Sequence, residues 1–369
     1  MARKKRRFRL QQLASLFQLG PLMSRPVHTL SGGERQRLTL AAAMALDPPI
    51  LLLDEPLAQM DSDFTAKFIS LLKELASKGT CILIAAASSH LYAALETRCF
   101  LMVKGEIYWQ GSRQDFQKRW EEAKSLGIDV DGSSFLKNCL GKSPERKEKG
   151  SPLPVMTMNN VFYSYGQGFL LDNISLSIRA GEIVALTGPN GSGKSTLLKL
   201  AAGILQPKKG EVCILGKCIK GLSIAQATAG SGFLFQNPDH QIFQDKVIKE
   251  VAWGLKMRKI NPSLIAARVE KWLKRLQIEY LAEEHPYSLT KTDRQWVALA
   301  GVLAQEQPLL LLDEPTHGMD CVSAGRFMEV MAELVAANTA VFMVTHHREL
   351  AEHCAHRIFY MEKGRCLVK

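Results

Sequence analysis

A glycine-rich segment between a strand-forming run and a helix-forming run constrains the fold of this chain more than any other feature. The run Ile183–Thr187 is short and apolar, and the pattern LLKLAAGIL follows the segment. Glycines let backbone N–H groups wrap phosphates, a lysine neutralises them, and a hydroxyl at the helix N-terminus can bind Mg²⁺. The pattern predicts a nucleotide-phosphate loop made of Gly188, Pro189, Asn190, Gly191, Ser192, Gly193, Lys194, Ser195 and Thr196.

Two further apolar runs end in polar side chains suited to phosphate chemistry. The run Leu309–Leu312 precedes Asp313 and Glu314 and is typical of a buried parallel strand. We expect Asp313 to hold the Mg²⁺ shell and Glu314 to orient or deprotonate an attacking water. The run Val341–Val344 leads to His346, whose imidazole is a candidate contact for a terminal phosphate.

The chain contains an internal repeat. The segment Leu30–Leu38 aligns with Leu289–Val297 at an offset of 259 residues, and Leu51–Pro56 aligns with Leu310–Pro315 at the same offset. Repeats at a fixed spacing indicate copies of one structural unit. The sequence therefore predicts two copies of one domain.

The same offset predicts that the first copy lacks its phosphate loop. The lysine equivalent to Lys194 would fall at position −65, before residue 1. We expect residues 1–111 to be the C-terminal part of the first copy, residues 112–154 a helical extension and polar linker, and residues 155–369 a complete second copy. We interpret the sequence as a truncated or fragmentary reading frame in preference to a natural split, in which another polypeptide would supply the front of the first copy.

The order of these motifs resembles the nucleotide-binding domain of ATP-binding-cassette (ABC) proteins. The resemblance implies an α/β fold of the P-loop NTPase class, with ATP and Mg²⁺ as cofactors. It implies that Tyr165 stacks on adenine, that Gln236 senses the γ-phosphate and its Mg²⁺, and that His346 is a switch histidine. The segment Phe235–Phe243 is similar to that in the ATPases of energy-coupling-factor (ECF) importers, which take up vitamins and transition-metal ions; tandem-fused cassettes also occur in that family.

In the family that the chain resembles, ATP lies between the phosphate loop of one cassette and the signature segment of the other. Ser31 is a natural helix N-cap, and Glu34 follows three residues later in a capping-box pattern. Gly32 and Gly33 carry no side chains and let the helix N-terminus approach a γ-phosphate. The resemblance therefore makes Ser31, Gly32, Gly33 and Glu34 the partner surface for ATP held by the second copy.

The opposite pairing is degraded on both sides. In the second copy the signature positions are Thr290–Asp293, so that two glycines are replaced by residues with side chains. In the first copy Ala87 occupies the position equivalent to His346. We therefore expect an asymmetric ATPase with one competent site.

Composition and charge bear on which other classes of function the chain could have. The formal charge is +11, and six basic residues lie within the first nine, which is typical of a solvated helix face or of an arm for nucleic acid or anionic membrane. No apolar stretch approaches 18 residues, so no membrane span is predicted. Eight cysteines show no paired CxxC spacing, the closest being Cys213 and Cys218, and we expect them to be reduced.

The sequence thus predicts the ATP-hydrolysing subunit of a membrane importer, peripheral to the cytoplasmic face of the membrane. The expected partners are a transmembrane coupling subunit and a substrate-binding membrane subunit. A second ATPase chain is a further candidate partner, and nucleic acid is not expected. Two alternatives stay open: a soluble tandem-cassette ATPase acting on ribosomes or nucleic acid, and an inactive fragment. Nothing in the sequence names the transported substrate.

Overall fold

The chain divides into two compact units, residues 1–135 and residues 136–369. The structure is a computed structural model, and it describes residues 3–27, 30, 32–57, 60, 62–86, 92, 94–103, 105–126, 128, 154–166, 171–189, 191–316, 319, 321–345 and 348–368. Among these residues, no helix is both long and apolar enough to cross a lipid bilayer.

Unit 1 combines helices with two short two-stranded sheets. In chain order its elements are α1 (Arg3–Leu16), α2 (Gly32–Met44), β1 (Ile50–Asp54), α3 (Ser62–Ser77), β2 (Cys81–Ala85), β3 (Arg98–Val103), β4 (Glu106–Ser112), α4 (Arg113–Gln117) and α5 (Trp120–Ser125). Strands β1 and β2 are parallel, whereas β3 and β4 are antiparallel. The basic N-terminal segment is therefore helical.

The core of unit 1 is an aromatic cluster between α1 and α3. Phe64 and Phe68 are four residues apart, so they share one face of α3, and their rings stack with centroids 5.9 Å apart. Phe17, just after α1, packs against both rings and is fully buried. Strand β1 has only one covered face, since Ile50 and Leu52 are 60% and 69% exposed.

Unit 2 is built around a six-stranded sheet with the order β10-β11-β12-β7-β13-β14, in which only β14 is antiparallel to its neighbour. Every residue of β11 and of β12 is buried, which is why both strands read as continuous apolar runs. The strands are β7 (Ile183–Thr187), β10 (Ser231–Leu234), β11 (Leu309–Asp313), β12 (Ala340–Val344), β13 (Arg357–Glu362) and β14 (Arg365–Val368). The strand predictions for 183–187, 309–312 and 341–344 are confirmed.

An antiparallel sheet of order β6-β5-β8-β9 forms the second layer of unit 2. Its strands are β5 (Pro154–Tyr163), β6 (Leu171–Arg179), β8 (Lys209–Ile214) and β9 (Lys217–Cys218). Apolar side chains of both sheets meet in one core cluster around Leu197 and Leu198. The helices of unit 2 are α6 (Lys194–Ala201), α7 (Ile224–Ala227), α8 (Val247–Met257), α9 (Pro262–Arg275), α10 (Lys291–Leu303), α11 (Cys321–Ala336) and α12 (Arg348–Cys354).

Local interactions recur in the two units at the 259-residue offset. Arg9 pairs with Asp47 in unit 1, and the equivalent Arg268 pairs with Glu306 at 2.8 Å in unit 2. Backbone turns recur as well, because Asp47 and Glu306 both adopt a positive φ, of 47° and 49°. The repeat seen in the sequence is therefore matched by side-chain pairs and by backbone conformation within each unit.

One sequence prediction is wrong. Cys213 and Cys218 are joined by a disulfide, whereas we expected reduced cysteines. The two residues face each other across the β8–β9 hairpin. Their spacing of five carried no recognised signal, because cross-strand opposition depends on the turn that joins the strands.

Candidate functional site

The predicted phosphate loop connects β7 to α6 and depends on glycine backbone geometry. Gly188, Gly191 and Gly193 have φ values of 145°, 78° and 109°, which residues with side chains rarely adopt. A Cβ at Gly188 would lie 2.1 Å from the carbonyl oxygen of Met361, whereas a Cβ at Gly191 would meet open space. Gly188 is therefore required for packing and Gly191 for conformation alone.

The side chain of Lys194 folds back onto the backbone of the loop. Its ammonium donates hydrogen bonds to the carbonyl oxygens of Gly188 at 2.8 Å and Pro189 at 3.0 Å, and the residue is only 7% exposed. Burial lowers the pKa of Lys194, while the nearby carboxylates of Glu314 and Asp313 oppose that shift. A positive charge is thus held in low dielectric where an anionic group would be strongly favoured.

Ser195 and Asp313 connect the start of α6 to the end of β11. The Ser195 hydroxyl donates to the Asp313 carboxylate at 3.1 Å. Asp313 is 5% exposed, and burial raises its pKa to about 6, although the hydrogen bond from Ser195 lowers it. A hydroxyl and a carboxylate are hard oxygen donors of the kind that Mg²⁺ prefers, so this pair fits a magnesium ion.

Ser192 supplies an independent indication of an anionic ligand. The residue is 5% exposed, and among the described residues its hydroxyl has no hydrogen-bond partner. Buried hydroxyls are rarely left unpaired, because the lost hydrogen bond costs about 1–3 kcal/mol. A phosphate oxygen in the loop would accept this hydrogen bond, so the residues present fit a nucleotide phosphate.

Glu314 follows β11 in a left-handed conformation. Its φ is 48°, its N–H donates to the carbonyl of Val344 at 2.9 Å, and the residue is 7% exposed. The equivalent Glu55 of unit 1 has φ 44° and donates to Ala85 at the same distance. The turn that holds the second acidic residue is therefore present in both units.

Three further predicted residues, Gln236, Thr196 and Tyr165, differ in position and in exposure. Gln236 is exposed and follows β10, which pairs in parallel with β11, so it lies at the same edge of the sheet as Asp313. Thr196 is half-buried in the first turn of α6. Tyr165 is 61% exposed, and its ring packs edge-on against Tyr163 with centroids 5.0 Å apart.

Some predicted residues lie outside the described residues, namely Ser31, Asn190 and His346, together with Ala87. In unit 1 the helix α2 begins at Gly32, and Gly33 and Glu34 lie in its first turn. The Glu34 carboxylate approaches the guanidinium of Arg25 at 3.6 Å, an ion pair that the sequence did not predict.

The equivalent helix of unit 2 begins differently. Thr290 caps α10, since its hydroxyl accepts from the N–H of Asp293 at 3.1 Å and donates to its carboxylate at 2.7 Å. The N-terminus of α10 is thus satisfied by its own residues. Both helices carry an acidic side chain in the first turn, Asp293 in α10 and the equivalent Glu34 in α2, so they differ at Lys291 and Thr292, which replace Gly32 and Gly33.

Two residues that the sequence patterns did not identify as functional hold the segment around Gln236. Gln241 accepts from the N–H of Phe235 at 3.0 Å, and the buried carboxylate of Glu250 accepts from the N–H groups of Phe243 and Gln244 at 2.9 and 2.8 Å. The available signal was a carboxylate at a position that the helical period of α8 places on its buried face. The Gln241 bond closes the segment on itself, and the Glu250 bonds connect it to α8.

Comparison with known proteins gives a family match. The profile of the family described as "ABC transporter" matches residues 2–58 and 171–317, more than half of the chain. A Methanosarcina mazei protein named for ATP binding in an ABC transporter is 34% identical over 357 residues, which are 97% of this chain and 70% of that protein.

Two other proteins are informative. A Bacillus subtilis protein named for ATP binding in HMP/thiamine import is 30% identical over 92% of this chain, which spans 65% of its length. The solved structure of cbiO1 from Clostridium perfringens, described as part of the ABC transporter complex cbiONQ, has a TM-score of 0.53 and 31% identity over 58% of this chain and 87% of its own. The chain spans about two thirds of the length of these curated relatives.

We expect Gly188→Ala to destabilise unit 2 far more than Gly191→Ala. Both changes carry the cost of a left-handed backbone, about 1–2 kcal/mol, but only Gly188→Ala adds a clash with backbone atoms, about 1–3 kcal/mol more. Urea unfolding of the two variants measures the difference. Equal midpoints for the two variants would contradict the role assigned to Gly188.

We also expect Asp313→Asn to remove most of the effect of Mg²⁺ on ATP affinity without loss of stability, since the amide replaces a buried carboxylate whose charged form is disfavoured. Titration with a fluorescent ATP analogue, with and without Mg²⁺, measures the effect. We expect the ratio of the two affinities to decrease by at least about tenfold relative to the unchanged chain. Asp54→Asn, at the exposed equivalent position in unit 1, is the matched control and should leave the Mg²⁺ effect unchanged.

Proposed function

Because the chain belongs to the ABC transporter family of ATP-binding ATPases, we propose that it binds and hydrolyses ATP to power a membrane importer. The Ser195–Asp313 hydrogen bond carries the proposal, because it joins the phosphate loop to the acidic end of β11. Lys194, buried in the loop beside it, supplies the positive charge that the phosphates need.

The reaction assigned to this site is attack of water on the γ-phosphorus, which yields ADP and phosphate. Glu314 would orient the water and accept its proton, and Lys194 would stabilise charge on the phosphoryl oxygens. Ser195, Gln236 and Asp313 would hold Mg²⁺, and the ion would supply positive charge that offsets the charge of the phosphates. His346 is proposed as a second contact to the γ-phosphate.

We propose that the start of α2 completes the ATP-binding site. A helix that begins with Gly32 and Gly33 presents backbone N–H groups without side chains in the way, which suits an anion. The alignment of one relative along 97% of this chain supports the occurrence of both units in one polypeptide. The site would therefore combine Lys194 and its neighbours with Ser31, Gly32, Gly33 and Glu34.

The proposal includes only one competent site. At the start of α10, Lys291 and Thr292 replace the two glycines of α2, so side chains would obstruct the close approach of a γ-phosphate to the backbone N–H groups. Because the second signature is altered and Ala87 replaces the switch histidine, the other pairing would not turn over. The asymmetry follows from the sequence at these positions rather than from the fold.

We propose import, through an ECF-type complex, as the transport direction. The printed roles of two similar proteins, HMP/thiamine import and membership of the cbiONQ complex, support this class. The expected partners are a transmembrane coupling subunit and a substrate-binding membrane subunit, so that the chain would lie at the cytoplasmic face of the membrane. The substrate class, vitamin or transition-metal ion, would be set by those subunits.

A groove in unit 2 supports a protein partner. Helices α8 and α9 form an open groove of about 660 Å³, lined by apolar side chains that include Ile248, Ala252 and Val269. The segment after Gln236 is bonded to α8 through Glu250, so a partner in this groove would contact the helix that holds that segment. An amphipathic helix of the coupling subunit is the occupant that we propose.

We expect Glu314→Gln to abolish ATP turnover and Glu55→Gln to leave it nearly unchanged. The amide cannot take the proton from water, and loss of a general base typically costs about 10²–10⁴-fold in rate. Phosphate release by the full chain measures turnover, and ATP binding shows that each variant is folded. Similar losses in both variants would refute the single-site proposal.

A second pair of variants tests the composite site. Gly33→Asp places a carboxylate in the first turn of α2, which should not unfold the helix but should repel the γ-phosphate. We expect a decrease in turnover of at least about tenfold. Thr292→Asp, at the equivalent position of α10, should have little effect, and equal effects would show that the two helix starts are not distinguished by ATP.

A further inference from the structure

The β8–β9 hairpin brings two sulfur atoms together by its turn. Leu215 and Gly216 form a two-residue connection in which both φ values are positive, 51° and 75°. This is the geometry of a type I′ turn, whose length sets the register of a hairpin. Cys213 is consequently placed opposite Cys218.

The pair lies on the outer face of its sheet. Val212 and Ile214 point into the core and are 1% and 5% exposed, so Cys213 between them points the other way. Cys218 is exposed, and Cys213 is half-buried. The two sulfur atoms are therefore accessible to solvent and to a small ion.

Glu211 lies on the same face, two residues before Cys213. One of its carboxylate oxygens and the two Sγ atoms all lie within 4.8 Å of one another. Within the described part of the chain, the Glu211 carboxylate makes no ion pair and no hydrogen bond. An exposed carboxylate without a partner is free to turn toward an ion between the sulfurs.

We propose that the reduced hairpin binds a borderline-soft divalent cation, with Zn²⁺ as the representative, through Cys213, Cys218 and Glu211. Two thiolates and one carboxylate are three of the four ligands of a tetrahedral zinc site, and water completes it. The phosphate site differs in kind, because Ser195 and Asp313 offer only hard oxygens, which suit Mg²⁺. The proposal is independent of ATP hydrolysis and of the transported substrate.

The chemistry of loading has two steps. A phosphine reductant takes up the oxygen of water as the disulfide accepts two electrons and two protons, which gives two thiols and a phosphine oxide. Zn²⁺ then displaces the two thiol protons and forms two Zn–S bonds. The disulfide form lacks thiolates, so it should not bind the ion at this place.

The test is zinc binding to the full chain before and after reduction with a phosphine. Competition against a chromophoric chelator measures bound Zn²⁺, and Cd²⁺ in place of Zn²⁺ gives near-ultraviolet absorption from thiolate-to-metal charge transfer. We expect reduction to create about one additional equivalent of bound ion, with Cd²⁺ absorption from two thiolates.

Matched variants separate this site from the other cysteines. Cys213→Ser and Cys218→Ser should each remove the equivalent gained on reduction, and Glu211→Gln should weaken it at least about tenfold. Cys81→Ser, which changes an exposed free cysteine of unit 1, should leave it intact. Binding of a fluorescent ATP analogue to every variant shows that unit 2 is folded.

The outcomes are decisive in both directions. Gain of one equivalent that depends on both Cys213 and Cys218 supports the site. The proposal is overturned if reduction adds no bound ion, or if the added ion persists in Cys213→Ser and Cys218→Ser while ATP binding is normal. Loss of affinity in the serine variants but not in Glu211→Gln would overturn the carboxylate as a ligand.

Discussion

The hydrogen bond between Ser195 and Asp313 is the interaction on which the site depends. In the sheet order, β12 lies between β7 and β11, so the bond spans the end of an intervening strand. It can form only because the carboxyl ends of the three strands are level. That alignment is maintained where Thr345 donates to Leu186 and Glu314 donates to Val344, at 3.1 and 2.9 Å. Backbone register thus determines where the carboxylates and the phosphate loop meet.

The parts of the site that follow from local sequence were predictable. A loop that needs positive φ at several positions selects glycine, and a strand buried on both faces selects an uninterrupted apolar run, so Gly188, Gly193 and residues 309–312 are recognisable without a structure. The α/β P-loop fold was predictable for the same reason. Each of these features is encoded within about ten consecutive residues.

The parts that depend on distant pairing were not predictable. Glu250 and Gln241 accept hydrogen bonds from backbone N–H groups of a segment whose path is set by tertiary packing. Gln241 lies in the ECF-like segment Phe235–Phe243, but the sequence does not show which N–H groups either side chain meets. The same holds for Cys213 and Cys218, because their opposition requires the exact length and twist of the turn between them. Spacing in the sequence does not determine register across a hairpin.

One local turn occurs in both units with different burial of the strand that precedes it. The acidic turn after the strand is the same at Glu55 and Glu314, but β11 is buried on both faces and β1 on one. A carboxylate on an exposed strand end is hydrated, so its charge interacts weakly with a phosphate. Burial at Asp313 raises the pKa to about 6, and in the lower dielectric there the ionised form interacts more strongly with neighbouring charges. The same acidic turn therefore has different surroundings in the two units, and burial distinguishes Asp313 from the equivalent Asp54.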